Sequence, residues 1–554
     1  MSGSSTFQPY DDVQSDSARP AGMPLKDQTK TSLASVQVLE SAAEPSERFA
    51  SGQDDNFQTV QVLEKGNFGF VSAFGYAFSV INSWVIMVAA IGSGLVSGGP
   101  SSLVWGLLYA SISNYATVLS HNECFAVYPS AGGQYHWAAV LSPPRFRELL
   151  SWLTGMLNVI GLWLGAASSA YLSSNLLISI VLLLDPEWEV TPRIQYGLFV
   201  VTLSFLPIVN VFIGQKLGRR LDYALMILST ITVLVIIITL PAAAPHRAPA
   251  SFVFGGLSNL TGWDSMVMAW LLGLLQSAFA YLGFDAIYHI SEEMPNPRTD
   301  GPRAVAWTII ISFVSAMAVL VSMLFCVVDL ERVLSTPYGL PFAQIALDAT
   351  SSKAATVIFI LIPTMLLLNT CRGISMGASR VLLSLARDNV LPYPKVWCYT
   401  YRGEPIVGLA VSLLVPLSCG LVQLGSTAAF NSLLGAAVIV FQVSYVIPPA
   451  LMLFGGRRQL NRDFPQRTSN LGRWGVVCNL ISMFFVLQSC VIYCFPATMP
   501  VTADTMSYVV VFLGFFGGLL SVLWFAWAKK RYIAPSREAV LALTTVTSEI
   551  EEES

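Results

Sequence analysis

Two long apolar runs in this chain are interrupted by residues that a continuous helix would not choose. FGYAFSVINSWVIMVAAIGSGLVSGGP (74–100) places Asn82 and Ser83 near its middle, then Gly92, Gly94, Gly98 and Gly99. MAWLLGLLQSAFAYLGFDAIYHISEEM (268–294) sets Gly283 beside Asp285, with His289 four residues further on. A helix that breaks inside an apolar layer exposes amide donors at one half-helix end and carbonyl acceptors at the other. Such ends can bind a small charged solute with few ionised side chains. Small residues also let helices pack closely, and the glycines of 92–99 taken alone fit either role. A third stretch, LLLNTCRGISMGASR (366–380), holds Arg372 eight residues before Arg380. That is about 12 Å along a helix, too deep for its head group to escape to an interface. Arg372 is therefore expected to face the protein interior as a fixed cation, holding a solute carboxylate or pairing with Asp285.

The composition says what must position these residues. The chain has 554 residues, 54% of them hydrophobic and only 11% charged, with a mean hydropathy of +0.62. An all-α integral membrane protein is expected, because a helix satisfies its own backbone in hydrocarbon and about 20 apolar residues cross it. Twelve such runs lie near 70–97, 102–127, 151–184, 195–214, 222–241, 264–289, 304–328, 354–384, 406–425, 429–454, 475–496 and 506–528. Their short loops leave no room for a soluble catalytic domain. The sequence lacks His-x-x-x-His, Gly-x-Ser-x-Gly and paired intramembrane Asp motifs, so an enzyme is not expected. It shows no basic surface for nucleic acid, calls for no cofactor, and its eight cysteines make no metal-ligand spacing.

Residues 1–68 are polar and read as a disordered cytoplasmic tail, 69–528 as the membrane domain and 529–554 as a second cytoplasmic tail. The segments on one side of the twelve runs carry twenty Lys and Arg residues, against Arg193, Arg247, Arg332 and Lys353 on the other. The positive-inside rule then places both termini in the cytoplasm, of a plasma membrane by expectation. Asn259-Leu260-Thr261 falls on the opposite side as a glycosylation sequon.

Three ordered motifs carry a resemblance. NECFAVYPSAGGQYHWAAVLSPP (122–144), FDAIYHISEEMPNPRTDGPRAV (284–305) and SRVLLSLARDNVLP (379–392) resemble signatures of the amino acid–polyamine–organocation superfamily. They are most similar to its fungal amino acid/choline transporter branch, which includes choline and γ-aminobutyrate permeases. The resemblance covers about residues 65–530. It implies ten core helices in two inverted five-helix repeats, with the first and sixth helices broken, plus two peripheral helices.

Carried over, the unwound first-helix segment falls on Ile81, Asn82, Ser83 and Trp84, where I-N-S-W replaces the usual glycine-rich break. The sixth-helix break falls on Tyr281, Leu282, Gly283, Phe284 and Asp285, with Phe279 at the aromatic gating position. Asp285 would offer a carboxylate to a cationic amine or a coupling proton. His289 would serve as structure or as a proton relay. Arg372 would lie where sodium-coupled relatives place their cation, which implies proton coupling. Trp84, Phe279, Tyr281 and Phe284 could form an aromatic cage for a quaternary ammonium. YPSAGGQYHW reads as a mechanical seal on the cytoplasmic side. The resemblance implies a secondary active transporter of small amines or amino acids working by alternating access. A transporter-like nutrient sensor, or a carrier of a secondary metabolite, is the alternative.

Overall fold

The computed structural model describes residues 69–541 apart from Gly214, Asp504 and Ala539, so the expected N-terminal tail and the last thirteen residues lie outside the described residues. The described chain is helical, and its only bridges are isolated ones at Ser97–Asn259 and Tyr401–Glu404. Eleven described helices are long and apolar enough to cross a membrane. The remaining expected span, the second, is the 27-residue helix Gly99–Phe125. Its polar side chains keep it out of that set, and the reason they are tolerated is burial. Ser113, Asn114, Thr117, Ser120, His121, Asn122 and Glu123 are all buried against protein, where an unpaired polar group facing lipid would cost several kcal/mol.

The first span consists of two helices, Phe70–Ile81 and Ser83–Val96. Asn82 between them takes the left-handed conformation, φ 41 and ψ 47, which Asn tolerates better than most side chains. The break is one residue long, because the Asn82 amide still donates to Phe78 and its carbonyl still accepts from Val85. The glycines that follow divide between two jobs. Gly92 and Gly94 lie inside the second half-helix against Pro341 and Leu103, while Gly98 (φ 81) and Gly99 (φ 73) turn the chain into the second span. The sixth span is broken more extensively. Helices Met266–Leu272 and Leu275–Phe279 lead to Gly283 at φ 87, and residues Phe284–Glu293 continue as a ten-residue 3₁₀ helix. Such runs seldom exceed four residues, and mid-span examples mark hinges.

The third span, Arg147–Leu184, runs through the centre and packs on the eighth, Lys353–Arg387, and the tenth, Thr427–Leu451. The fourth and fifth are Pro192–Ile213 and Gln215–Ala243, and the seventh is Pro297–Phe325. Of the expected C-terminal tail, Tyr532, Ala534 and Val540 are buried. The Tyr532 hydroxyl lies 2.7 Å from Ser151 Oγ, and Arg537 pairs with Asp463 at 3.1 Å.

Glu123 anchors the second span to the segment after the tenth. Its carboxylate pairs with Arg457 and, at 2.7 Å, with Arg467, and accepts the Leu471 amide at 3.1 Å. Removing the only carboxylate from this buried group leaves two arginines without it, a loss of about 3–5 kcal/mol. Glu123→Ala should therefore lower the thermal unfolding temperature of the detergent-solubilised protein well below wild type. An unchanged melting temperature would show the cluster to be solvated.

Candidate functional site

The two breaks meet. Ser83 Oγ, at the start of the second half of the first span, donates to the Ala280 carbonyl at 2.6 Å, capping an acceptor that the broken sixth span frees. Gly283 lies so close to the first span that a Cβ there would sit 3.0 Å from Val80 Cγ1. Ile81, Asn82, Ser83, Trp84, Tyr281, Gly283, Phe284 and Asp285 thus share one buried region at the crossing of the breaks. Trp84 Nε1 donates to Ser229 Oγ at 2.8 Å, and that hydroxyl donates on to Asn82 Oδ1 at 3.2 Å. This fixes the left-handed Asn82 side chain to the fifth span.

The aromatic cage does not form. Trp84 points to Ser229 of the fifth span, Tyr281 places its hydroxyl 2.5 Å from Ser111 of the second, and Phe284 packs on Tyr445 of the tenth with ring centroids 4.3 Å apart. Trp84, Tyr281 and Phe284 each have their own polar or ring partner, so these three side chains diverge. Phe279 is buried, one turn from Gln276.

Asp285 is enclosed by donors from three other parts of the chain. Oδ2 accepts from Gln134 Nε2 at 2.9 Å and Asn158 Nδ2 at 2.5 Å, and lies 3.3 Å from His289 Nε2. Oδ1 accepts from the Tyr445 hydroxyl at 2.7 Å, and that oxygen accepts the Gly283 amide at 3.1 Å. Tyr445 therefore holds both the break and the carboxylate. Gln134 comes from the YPSAGGQYHW segment, so that segment reaches the site. Gln134, Asn158 and Tyr445 carry no sequence signal of their own beyond polarity inside apolar or glycine-rich stretches.

Arg372 pairs with Asp222 of the fifth span and not with Asp285. Its Nε donates to Asn369 Oδ1 at 2.8 Å and its Nη1 lies 3.3 Å from Asn210 Oδ1. Asn369 Nδ2 also donates to Asp222 Oδ1 at 2.9 Å. Asp222 was legible only as the first residue of an expected span, where an acidic group reads as interfacial. The Asp222 backbone carbonyl and Thr370 both bond to Ser79, at 3.4 and 2.9 Å, so the ion pair is tied to the first span three residues before its break. Among the described residues there is no cluster of His, Cys, Asp and Glu that could hold a metal.

A cavity of about 520 Å³ opens on the face opposite the arginine-rich loops, lined by Ser93, Ser168, Tyr171, Gln276, Phe430 and neighbours. It ends one to two turns short of the breaks. The arginine-rich face is closed by polar locks: Arg380 pairs with Glu293 at 3.2 Å, Arg387 with Glu292 at 3.3 Å, and Asp388 accepts from Tyr135 at 2.9 Å and lies 2.8 Å from His136. At the opposite face the sequon loop is folded on itself, with Asn259 Nδ2 donating to the Trp263 carbonyl at 2.6 Å.

A bundle broken at two crossing spans, with a cavity on one face and ion pairs across the other, has the architecture of a membrane transporter. The amino acid permease family profile matches residues 68–516, and the chain belongs to that family, within the amino acid–polyamine–organocation superfamily. It is 27% identical to the choline transporter of Saccharomyces cerevisiae over 86% of this chain and 84% of that protein. It is 28% identical to the swainsonine transporter of Arthroderma benhamiae over 86% of this chain and 93% of that one. The crystal structure of MhsT in complex with L-phenylalanine shares its fold, with a TM-score of 0.54 at 14% identity over 78% of this chain and 99% of that one. Like these relatives, the protein is a transporter and not an enzyme.

Gly283 supplies the sharpest local test. Its φ of 87° excludes most side chains, and the space toward Val80 is filled. Gly283→Leu should reduce substrate binding far more than it reduces protein level. Parallel loss of both would make the glycine a folding residue.

Proposed function

We propose that the protein carries small amines or amino acids across the plasma membrane by alternating access, driven by protons, with both termini in the cytoplasm. The observation that carries this reading is the meeting of the two breaks at Ser83 and Ala280. There the amino-terminal ends of Ser83–Val96 and Phe284–Glu293 face the carboxy-terminal ends of Phe70–Ile81 and Leu275–Phe279. Amide ends suit a carboxylate and carbonyl ends suit an ammonium, so a zwitterion or an amine fits without a free side-chain charge. Ile81, Asn82, Ser83, Trp84, Phe279, Tyr281, Gly283 and Phe284 are the proposed contacts. Choline, swainsonine and L-phenylalanine, named for the relatives above, are all small nitrogenous solutes.

Asp285 takes the proton role in this reading and not the amine role, because Gln134, Asn158 and Tyr445 already donate to its oxygens and His289 lies against one of them. Arg372 and Asp222 form a fixed internal pair beside the first break, doing with a guanidinium what a bound sodium would otherwise do. The twenty basic residues on the closed face support its cytoplasmic assignment.

Expression in cells lacking endogenous amine and amino acid uptake, screened with a competition panel against labelled choline and labelled amino acids, tests the class of substrate. Saturable uptake that collapses with a protonophore and survives sodium removal is expected; sodium-dependent uptake would overturn proton coupling. Arg372→Ala, Arg372→Lys and Asp222→Asn should each cripple uptake at normal surface levels. Robust transport by Arg372→Ala would remove that pair from the mechanism.

A further inference from the structure

The hydrogen bonds of His289 require one proton more than an ionised Asp285 and a neutral imidazole would hold. His289 Nδ1 lies 2.9 Å from the Ala131 carbonyl oxygen, which only accepts, so Nδ1 carries a hydrogen. Nε2 lies 3.3 Å from Asp285 Oδ2. The Tyr445 hydroxyl accepts from Gly283 and spends its hydrogen on Oδ1. The contact between Nε2 and Oδ2 therefore holds only with a proton between them, as an imidazolium–carboxylate pair or as a carboxylic acid donating to neutral imidazole. Without that proton a nitrogen lone pair faces a carboxylate oxygen and the two repel.

We infer that Asp285 and His289 form a proton-binding site whose occupancy holds the 3₁₀ segment Phe284–Glu293 closed against the loop carrying Ala131 and Gln134. The partners of Asp285 are two carboxamides, a phenol and an imidazole, none of which bears a fixed positive charge. The other titratable groups facing the pair are Tyr288 on the same segment, Tyr445 on the tenth span and His121 on the second. His121 commits its Nε2 to the Tyr445 carbonyl at 2.8 Å and sits among Trp137, Phe284 and Tyr288. The packing is tight enough to transmit the switch. Gly133 has φ 52, and a Cβ there would lie 3.3 Å from His289 Cε1, so the loop's approach depends on the absence of a side chain. The proton is released to water on the arginine-rich face as the segment separates from the loop. The inference rests on the transport reading only for its use, since a proton closing one gate can couple a gradient to substrate movement.

The test reads accessibility of the closed face in the full-length purified protein. Ser291, buried at 1% exposure on the same segment, is replaced by cysteine. Its N-ethylmaleimide labelling is measured by peptide mass spectrometry as a ratio to the partly exposed native Cys398, which corrects for the pH dependence of thiol reactivity. The ratio should rise about fivefold or more from about pH 5.5 to about pH 8, as the proton between Nε2 and Oδ2 and its charge-assisted bond are lost. In the Ser291→Cys background, Asp285→Asn should hold the ratio low and flat, because a neutral amide keeps the contact. His289→Gln should do the same and serves if the first variant does not accumulate. A flat wild-type profile, or full pH dependence retained in either variant, overturns the site. The readout needs no substrate: flat labelling in a protein that transports overturns the site alone. Gated labelling in one that does not transport supports the site and overturns the transport reading.

Discussion

A backbone that leaves its helix inside hydrocarbon must find partners for the amide and carbonyl groups it frees, and only the protein can supply them. The rest of this structure follows from meeting that demand twice. Ser83 reaches from the first break to a carbonyl of the second, and Tyr445 reaches from the tenth span to the amide of Gly283. Because both partners lie on other spans, the break in the sixth span depends on the bundle around it. The central placement of the third, eighth and tenth spans is the packing expression of the same need.

The buried charges are organised by the same logic. Arg372 and Asp222 neutralise each other beside the first break, Arg380 and Glu293 close the end of the sixth span, and Glu123 gathers two arginines at the edge of the bundle. Asp285 is satisfied chiefly by neutral donors, and it sits on the element that is least regular. The closed face is built from polar locks and the open one from small and aromatic side chains, so the two faces would respond differently to pH and salt.

Much of this was legible in the residues. Apolar runs long enough to cross a bilayer announced the spans, and Asn82, Gly283, Asp285 and Arg372 stood out because each is costly in such a run. The glycines of 92–99 were ambiguous because a close contact and a turn ask for the same residue, and the structure uses them for both. The partners of the costly residues were not legible. Gln134, Asn158, Asn369 and Tyr445 lie far from Asp285 and Arg372 in sequence or are unremarkable in type, and pairing is decided by tertiary packing. The polar second span was expected as one span among twelve, but composition alone could not show that the polar side chains of its second half, from Ser113 to Glu123, are buried against protein. The cage of aromatics failed for a related reason: sequence places four rings near one crossing, whereas the indole, hydroxyl and ring partners of Trp84, Tyr281 and Phe284 turn those three to different neighbours.

The lower half of the sixth span has a mechanical consequence. Ten residues wound as a 3₁₀ helix rise about 20 Å, whereas the same residues as an α-helix rise about 15 Å. The side chains also advance about 120° per residue in the first form and about 100° in the second, so the far end differs by roughly half a turn. Phe284–Glu293 is therefore an overwound, lengthened spring whose relaxation would shorten it by about 5 Å and twist Glu293 away from Arg380 in one motion. Length and rotation are coupled by the covalent geometry of the helix, so a change at Gly283 cannot move one without the other.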